Sequence, residues 1–347
     1  MKRLLSMITL AAILLSSALL SSCHGEKQFS KTDLTVFDTQ AIVLGHEKSE
    51  SAFNEKADKI LQSLKEYHKL YDIYYEYEGI NNLRTVNKNA GIAPVKVDQR
   101  IIDLLLFSKE MYELTGGMTN VAMGSVLSVW HSYREEGIND PDKAAVPKRE
   151  ELEAASLHTD IEKVIIDEKE STVFLEDPEM SLDVGAVAKG YAVEMVAQHF
   201  ENEGYSSYAL SVGGNVRCMG AKPDGKKWEI GIQNPDLTSS QAYATTVYMT
   251  TESLVTSGSY QRYYTVAKKQ YHHIIDPKTL MPKNDYAAVS VICAHSGIAD
   301  GLSTALFNMT KADGSALAKK LGVEVMWVYP DGKIEMTSGF NEFQNIN

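Results

Sequence analysis

The stretch SLDVGAVAKGYAVE, from Ser181 to Glu194, is the segment around which this chain is organised. Apolar and acidic residues at 180–184 predict the end of a strand, and the spacing of the residues that follow predicts a helix. A strand-to-helix turn rich in small residues leaves the first helical N–H groups unpaired and lets a ligand approach the backbone. The turn therefore favours a phosphate or pyrophosphate site, with Lys189 as a point charge. The alternative is structural: Asp183 caps the helix, the glycines serve packing and Lys189 is solvated.

The N-terminal residues have the composition of an export signal. Two basic residues precede an apolar run over residues 4–20, and serines then lead to Cys23. Residues 1–22 are therefore interpreted as a signal peptide. The ending Leu-Ser-Ser-Cys resembles a bacterial lipobox, which predicts lipidation of Cys23, a tether over residues 23–33 and a cell-membrane lipoprotein on the extracytoplasmic side. An uncleaved membrane helix is the alternative, although the run is short for one.

The composition limits the possible partners. The 347 residues carry a formal net charge of −12, which argues against a nucleic-acid partner because no Lys/Arg-rich face is present to neutralise phosphates. An acidic chain that binds a phosphorylated ligand needs a metal ion or a local basic group to offset the repulsion. Cys218 and Cys293 each lie in an apolar, strand-like run and are interpreted as buried free thiols, with one disulfide as the alternative.

Hydrophobic periodicity predicts one α+β domain over residues 34–347. A strand is expected at 34–46 and a core-facing helix at 52–71, and a second helix begins after Asp98 and ends at Gly116. Further on, short apolar runs predict successive strands at 163–167, 172–176, 180–184, 208–220, 228–234, 243–251, 253–258 and 271–277. Successive strands flanked by helices favour a mixed, largely antiparallel sheet.

Two later segments carry groups suited to chemistry. The pair His272-His273 precedes an apolar run, and in a strand only one of the two faces a given side; a hydrogen-bonded structural histidine is the alternative. In the helix predicted at 296–309, Asp300 and Thr304 lie four residues apart, opposite the apolar stripe. Their oxygens suit Mg²⁺, although such residues on a polar face are usually just solvated.

Five ordered motifs then point to a family. They are Phe37-Asp38-Thr39, the Gly-Gly segment ending at Asn120, Leu182 to Tyr191, Ser211 to Asn215, and a last set from Thr256-Ser257-Gly258 through His273 to Asp276-Pro277 and on to Ala299–Ala305. Together they resemble the ApbE family, the FAD:protein FMN transferases, over nearly the whole mature chain. The resemblance implies an α+β domain related to the T-fold.

The resemblance also implies a set of ligands. Mg²⁺ would be bound by the side-chain oxygens of Asp300 and Thr304 and by the backbone carbonyl of Ala186. His273 would lie beside the pyrophosphate and is the candidate general base, with Asp300 as its rival. FAD would contact the segments carrying the remaining motifs, together with the aromatic loop at 72–90: Asp38, Thr39, Tyr77, Met118, Thr119, Asn120, Asp183, Lys189, Gly213, Gly214, Asn215, Ser257, Gly258 and His273.

The implied reaction is Mg²⁺-dependent transfer of FMN from FAD to a threonine or serine hydroxyl of an exported redox protein, with release of AMP. Three departures from the family pattern bear on flavin affinity: Asp38 and Leu280 stand where glycine is usual, and Asn120 replaces a common aspartate. Two other functions fit the same residues. One is hydrolysis of FAD to FMN and AMP, and the other is a lipoprotein that binds FAD without turnover.

Overall fold

A computed structural model describes residues 25–345 of the chain. The predicted signal peptide and Cys23 lie outside this range. The helices of the described part are α1 (Glu50–Tyr71), α2 (Leu83–Lys88), α3 (Gln99–Thr115), α4 (Gly124–Asn139), α5 (Arg149–Ser156), α6 (Ala188–Asn202), α7 (Ser296–Asn308) and α8 (Lys311–Leu321). Short 3-10 turns lie at Val121–Met123, Pro141–Lys143, Ile161–Lys163 and Ser338–Gln344.

The strands of the described part form four separate sheets. They are β1 (Lys27–Val36), β2 (Thr39–Glu47), β3 (Val95–Lys96), β4 (Val164–Asp167), β5 (Thr172–Leu175), β6 (Tyr208–Val212), β7 (Asn215–Met219), β8 (Trp228–Gln233), β9 (Tyr243–Met249), β10 (Ser253–Gly258), β11 (Tyr263–Val266), β12 (Lys269–His272), β13 (Ala288–Cys293), β14 (Glu324–Val328) and β15 (Ile334–Met336). The largest sheet has eight strands in the order β1-β2-β6-β7-β10-β13-β14-β15, and every pairing in it is antiparallel. The predicted α+β class is confirmed.

Both faces of the central strands are buried. On one face, α1 and α6 pack on the sheet through residues such as Phe53, Leu64 and Val196. On the other face, the β8–β9 hairpin and the C-terminal 3-10 turn contribute Trp228 and Phe340. Strands β6 and β7 are therefore buried along their whole length, which explains why their sequence reads as a nearly continuous apolar run rather than an alternation.

Helices α6 and α7 lie unusually close together at Gly190. A Cβ atom built on this glycine would lie 2.4 Å from the carbonyl oxygen of Ser296 and 2.5 Å from Cβ of Asp300. Real Cβ atoms do not approach backbone atoms so closely, so only glycine allows this contact. The close approach brings the amide of Gly190 within 2.8 Å of the Asp300 carboxylate, and the two helices are hydrogen-bonded to each other there.

The beginning of the domain differs from the prediction. Residues 27–33, assigned to the tether, form most of β1, and the single strand expected at 34–46 is instead the end of β1, a two-residue turn and β2. Phe37 and Asp38 form that turn with φ angles of 51° and 50°. Positive φ at both central residues is the conformation that matches the twist of a hairpin, and glycine or asparagine adopts it more easily than phenylalanine.

Two other strand predictions differ from the structure, one in existence and one in extent. Residues 180–184 form no strand, because the Asn87 side chain bonds both the amide and the carbonyl of Leu182, at 2.7 Å and 2.9 Å. The strand expected at 271–277 ends at His272, and Ile275 forms only an isolated bridge with Pro282. Among residues 25–345, no helix is long and apolar enough to cross a membrane. Cys218 and Cys293 are free thiols, as expected.

We expect Gly190→Ala to lower the free energy of unfolding by about 1–3 kcal/mol, because overpacking of this size displaces backbone rather than a flexible side chain. Gly314→Ala in α8 is the matched control. There an added Cβ would meet only side-chain atoms, the nearest being Leu306 Cδ2 at 3.2 Å. Urea denaturation measures both variants, and equal stability of Gly190→Ala and wild type would contradict the close approach of α6 and α7.

Candidate active site

A cavity of about 360 Å³ opens at one end of the main sheet. Three strand connections meet there: the start of β2, the turn between β6 and β7, and the end of β10. The first turn of α6, the middle of α7, the N-terminal half of α4 and the segment after β12 complete the wall. Elements distant in sequence therefore converge on one enclosed space.

Most of the residues predicted to bind ligands line this cavity. They are Asp38, Thr39, Met118, Thr119, Asn120, Asp183, Ala186, Lys189, Gly213, Asn215, Ser257, Gly258, His273, Asp300 and Thr304. Tyr77 and Gly214 do not line it. The hydroxyl of Tyr77 instead donates to Asp72 Oδ2 at 2.7 Å and contacts His68 Nε2 at 3.2 Å, and both partners are wall residues.

The backbone conformation of the β6–β7 turn explains why it contains two glycines. Gly213 and Gly214 have φ angles of 56° and 92° and connect Val212 to its strand partner Asn215. A Cβ on Gly213 would lie 2.8 Å from Cγ2 of Thr39, so the wall is closed at this point by backbone packed against a side chain. Gly214 supplies the second left-handed position that a two-residue hairpin requires.

The segment at 118–120 is fixed by its own side chains. Thr119 is almost fully buried and donates to the carbonyl of Gly301 in α7 at 2.7 Å. The amide group of Asn120 is engaged at both ends, since its oxygen accepts from the Ala122 amide at 2.9 Å and its nitrogen donates to the Thr159 carbonyl at 3.0 Å. The side chain of Asn120 therefore positions the wall of the cavity.

Asp300 is buried and faces the cavity, although the sequence placed it on the open side of its helix. Its Oδ2 accepts from the Gly190 amide at 2.8 Å and lies 3.7 Å from Lys189 Nζ. Burial raises the pKa of this carboxyl, while Lys189 and the Gly190 amide act in the opposite direction. The Asn215 side chain, on the same wall, also opposes the rise in the pKa of Asp300, so the carboxylate has protein partners besides the Gly190 amide.

The first turn of α6 is more fully bonded than the sequence suggested. The Ala188 amide donates to the Val184 carbonyl at 2.8 Å, and the Gly190 amide is taken by Asp300. The predicted cap differs from the structure: the N-cap residue is Val187, and Asp183 accepts from the Gly185 amide at 2.9 Å. Two of the first-turn amides are therefore already used by protein oxygens.

His273 lies in the cavity with a defined tautomer. Its Nδ1 is 3.2 Å from the carbonyl oxygen of Arg262, and because a carbonyl only accepts, Nδ1 carries the proton. Nε2 is then the unprotonated nitrogen. His273 is exposed to solvent through the cavity opening; desolvation by the cavity wall and then the nearby Arg262 guanidinium lower the pKa of the imidazole, which favours the neutral ring.

His272, its neighbour, has a structural role. The ring is buried at the end of β12, its Nε2 donates to the Lys283 carbonyl at 2.8 Å and its Nδ1 accepts from the Ile274 amide at 3.2 Å. Both nitrogens are therefore satisfied in the neutral form. Of the two histidines, only His273 faces the cavity, as the alternation along a strand predicts.

Several wall residues had no sequence signal. Arg134 on α4 and Arg262 before β11 both line the cavity, and within residues 25–345 neither guanidinium forms an ion pair. Desolvation and then Arg262 lower the pKa of Arg134. His68 lies on the apolar stripe of α1, a position typical of a packed core histidine. Its ring does line the cavity, and its Nδ1 accepts from the Phe37 amide at 3.1 Å, which holds the positive-φ turn in place.

Comparison with known proteins identifies the family of this arrangement. The family model described as the ApbE family matches residues 32–327. The chain belongs to the ApbE family. The resemblance inferred from five motifs is thereby confirmed.

Curated members of the ApbE family match most or all of the chain. An FAD:protein FMN transferase of Treponema pallidum is 32% identical over 74% of this chain and 73% of its own length. One from Haemophilus influenzae is 26% identical over 100% of this chain and 99% of its own. Among solved structures, the ApbE protein of Thermotoga maritima has a TM-score of 0.79 at 26% identity, and covers 92% of this chain and 100% of its own. The flavin transferase ApbE from Vibrio cholerae has a TM-score of 0.74 at 26% identity, covering 92% and 99%.

The carboxylates of this ApbE cavity are not gathered into one cluster. Within the described part of the chain, no group of three or more His, Cys, Asp or Glu side chains is arranged to hold a metal ion. Four aspartates line the cavity: Asp38, Asp72, Asp183 and Asp300. The metal ligands that the resemblance implies are one of these carboxylates, Asp300, together with the hydroxyl of Thr304 and the backbone of Ala186, and all three residues line the cavity. Few protein oxygens of this hard type suit Mg²⁺, which fills its remaining positions with water and substrate phosphate.

We expect His272 to make the stability of the protein depend on pH. Burial lowers its pKa below the 6.5 of the unfolded chain, so its contribution is fully present above pH 6.5 and is lost as the pH falls below that value. Between pH 7.5 and 5.5, His272→Gln should show a smaller decrease in the free energy of unfolding than wild type, by up to about 1.4 kcal/mol. Urea denaturation at the two pH values measures this. His199→Gln, at an exposed position on α6, is the control and should keep the wild-type slope.

Proposed function

We propose that this protein transfers FMN from FAD to a threonine or serine hydroxyl of an acceptor protein and releases AMP. The main support for the proposal is that segments far apart in sequence meet in one cavity. They bring together the Asp300 carboxylate, the Thr304 hydroxyl, the His273 imidazole and two arginines that form no ion pair within residues 25–345. The relatives named FAD:protein FMN transferase, which match over most of their length, support the same activity.

The reaction exchanges one P–O bond for another. The acceptor hydroxyl oxygen attacks the phosphorus on the FMN side of FAD, the bond from that phosphorus to the bridging oxygen breaks, and AMP leaves with that oxygen. The hydroxyl proton passes to Nε2 of His273, the unprotonated nitrogen of a ring whose other nitrogen is held by the Arg262 carbonyl. The lowered pKa of His273 keeps the ring in the form that accepts a proton.

The metal proposed for this site is Mg²⁺. The carboxylate of Asp300, the hydroxyl of Thr304 and the carbonyl of Ala186 would hold it, since all three residues line the cavity. When bound, the ion supplies positive charge to the phosphate oxygens and to the leaving group. A site with a single carboxylate depends on substrate oxygens to complete it, so metal and FAD should bind cooperatively.

The cationic side chains of the cavity suit a pyrophosphate. Arg134 and Arg262 lie on its wall without carboxylate partners among residues 25–345; Arg134 is half-buried and Arg262 is exposed. The two guanidiniums repel each other enough to lower the pKa of Arg134, and an anion bound near both would offset that repulsion. Lys189 is partly engaged, because its Nζ donates to the Gly185 carbonyl at 3.2 Å and lies near Asp300. These groups offset the overall negative charge of the chain at the one place where phosphates would bind.

We further propose that the protein is exported and anchored at Cys23, on the extracytoplasmic side of the membrane. The proposal rests on the basic and apolar residues at the N-terminus and on the serines before the cysteine. The acceptors are then exported redox proteins.

Incubation of the purified protein with FAD, Mg²⁺ and a candidate acceptor should add the mass of an FMN phosphoester to the acceptor and release an equal amount of AMP. Mass spectrometry and nucleotide chromatography measure the two products. AMP release at the same rate without acceptor would favour FAD hydrolysis instead. Tight FAD binding with no AMP under either condition would favour a carrier without turnover.

The matched variant in this assay is His273→Gln. Loss of a general base should lower the rate of transfer by about 10²–10⁴-fold, while FAD binding measured by flavin fluorescence stays close to wild type. His272→Gln, in the adjacent buried position, controls for disturbance of the backbone. A transfer rate unchanged in His273→Gln would exclude this residue as the base.

Thr304 provides the sharper test of the metal site. Thr304→Ala removes one oxygen donor and should raise the Mg²⁺ concentration for half-maximal transfer about 10- to 100-fold, whereas Thr304→Ser keeps the hydroxyl and should remain close to wild type. Asp300→Ala is less clean, because it also removes the hydrogen bond to Gly190. Equal Mg²⁺ dependence of the alanine and serine variants, or full activity in EDTA, would contradict the metal proposal.

A further inference from the structure

Helices α6 and α7 cap each other's first turns with carboxylates. Each helix contributes one amide and, four residues later, one acidic side chain. The Gly190 amide of α6 donates to Asp300 Oδ2 of α7 at 2.8 Å, and the Ser296 amide of α7 donates to Glu194 Oε2 of α6 at 2.6 Å. The two bonds run in opposite directions across the contact, one from each helix to the other.

These amides belong to the first turns, where helical N–H groups have no partner within their own helix. Ser296 is the first residue of α7 and Gly190 the third of α6. The next α7 amides, of Gly297 and Ile298, contact Nδ1 of His295 at 3.1 Å and 3.4 Å. Glu194 therefore satisfies the one amide at this end that the His295 cap does not reach.

Glu194 itself is held by a buried arginine. The side chain of Glu194 is 2% exposed and that of Arg217, on β7, is 8% exposed, with Arg217 Nε 3.2 Å from Glu194 Oε2. Arg217 also contacts Oε2 of Glu201 at 3.0 Å and the Thr251 carbonyl at 2.8 Å. The main sheet thus fixes Glu194, and Glu194 fixes the first residue of α7, one helical turn before Asp300.

We infer that Glu194 is a positioning residue for the site: it sets the place of α7 along α6, and so directs the carboxylate of Asp300 into the cavity. The inference rests on the metal site proposed above. Gly190 leaves no space for α7 to move closer to α6, and the hydrogen bond from the Gly190 amide to Asp300 opposes movement away. A shift along the helix axis is the movement left to it, and the bond from Ser296 to Glu194 opposes that shift.

The chain contains a matched control for this inference. Glu201 pairs with the same arginine from the same helix but makes no hydrogen bond to α7 within the described residues. Glu201→Gln therefore removes a charge from the Arg217 network without touching the Ser296 amide. Glu194→Gln keeps the size of the side chain but replaces one acceptor oxygen with a donor, which opposes either the Ser296 amide or Arg217.

The experiment measures Mn²⁺ binding by electron paramagnetic resonance, without FAD, at a temperature where all variants are folded. Glu194→Gln should bind Mn²⁺ about 10- to 100-fold more weakly than wild type, as is typical when a partner of a metal ligand is lost. Glu201→Gln should stay within about twofold. Hydrogen exchange should be faster in the first turn of α7 in Glu194→Gln only.

The outcomes separate the inference from the function on which it rests. If Asp300→Asn loses Mn²⁺ binding but Glu194→Gln and Glu201→Gln bind it equally well, the metal site stands and the positioning role of Glu194 is wrong. If Asp300→Asn binds Mn²⁺ as tightly as wild type, the metal site itself is wrong and the inference falls with it. Weak Mn²⁺ binding in both Asp300→Asn and Glu194→Gln, with binding close to wild type in Glu201→Gln, supports both the metal site and the positioning role.

Discussion

The contact between α6 and α7 is the constraint on which the site depends. Two helices can approach this closely only where one of them has no side chain, and Gly190 provides that position. The contact is also favourable electrostatically. First-turn amides carry partial positive charge, and the Gly190 and Ser296 amides each bond a carboxylate from the other helix. Asp300 is thereby held at the cavity wall, and α4 and the residues that flank the β11–β12 hairpin also line the cavity.

The helices were predictable because each buries one stripe. The apolar spacing of α1 and the Asp98 cap of α3 are local signals, and the structure matches them. Strand β1 was missed because its sequence is polar. It is held by backbone pairing to β2, by Phe29 stacking on Phe53 at 5.6 Å and by ion pairs such as Lys31 with Asp58, none of which leaves a pattern in the chain itself.

The sequence predicted which residues line the cavity better than it predicted what each of them contacts. Motifs as far apart in sequence as Asp38 and Thr304 meet in one cavity. The Asp300 carboxylate, however, is bonded to a first-turn amide of α6 that the sequence analysis had assigned to a phosphate. Asn120 supports the wall with both ends of its amide. Arg134 and Arg262 were missed because a single arginine in a helix or loop has no periodicity, and only the fold shows that their carboxylate partners are absent within the described residues.

Under the proposal that Cys23 carries a lipid anchor, strand β1 would determine how far the reactive centre can lie from a bilayer. It begins at Lys27, so a lipid on Cys23 would leave a spacer of roughly 14 Å when extended. The strand then runs ten residues to the turn at Phe37 and Asp38, which lines the cavity, a distance of roughly 30 Å. Together these lengths would place the cavity at most about 45 Å from the anchor. Only acceptor hydroxyls within that distance of the anchor would then reach the active site.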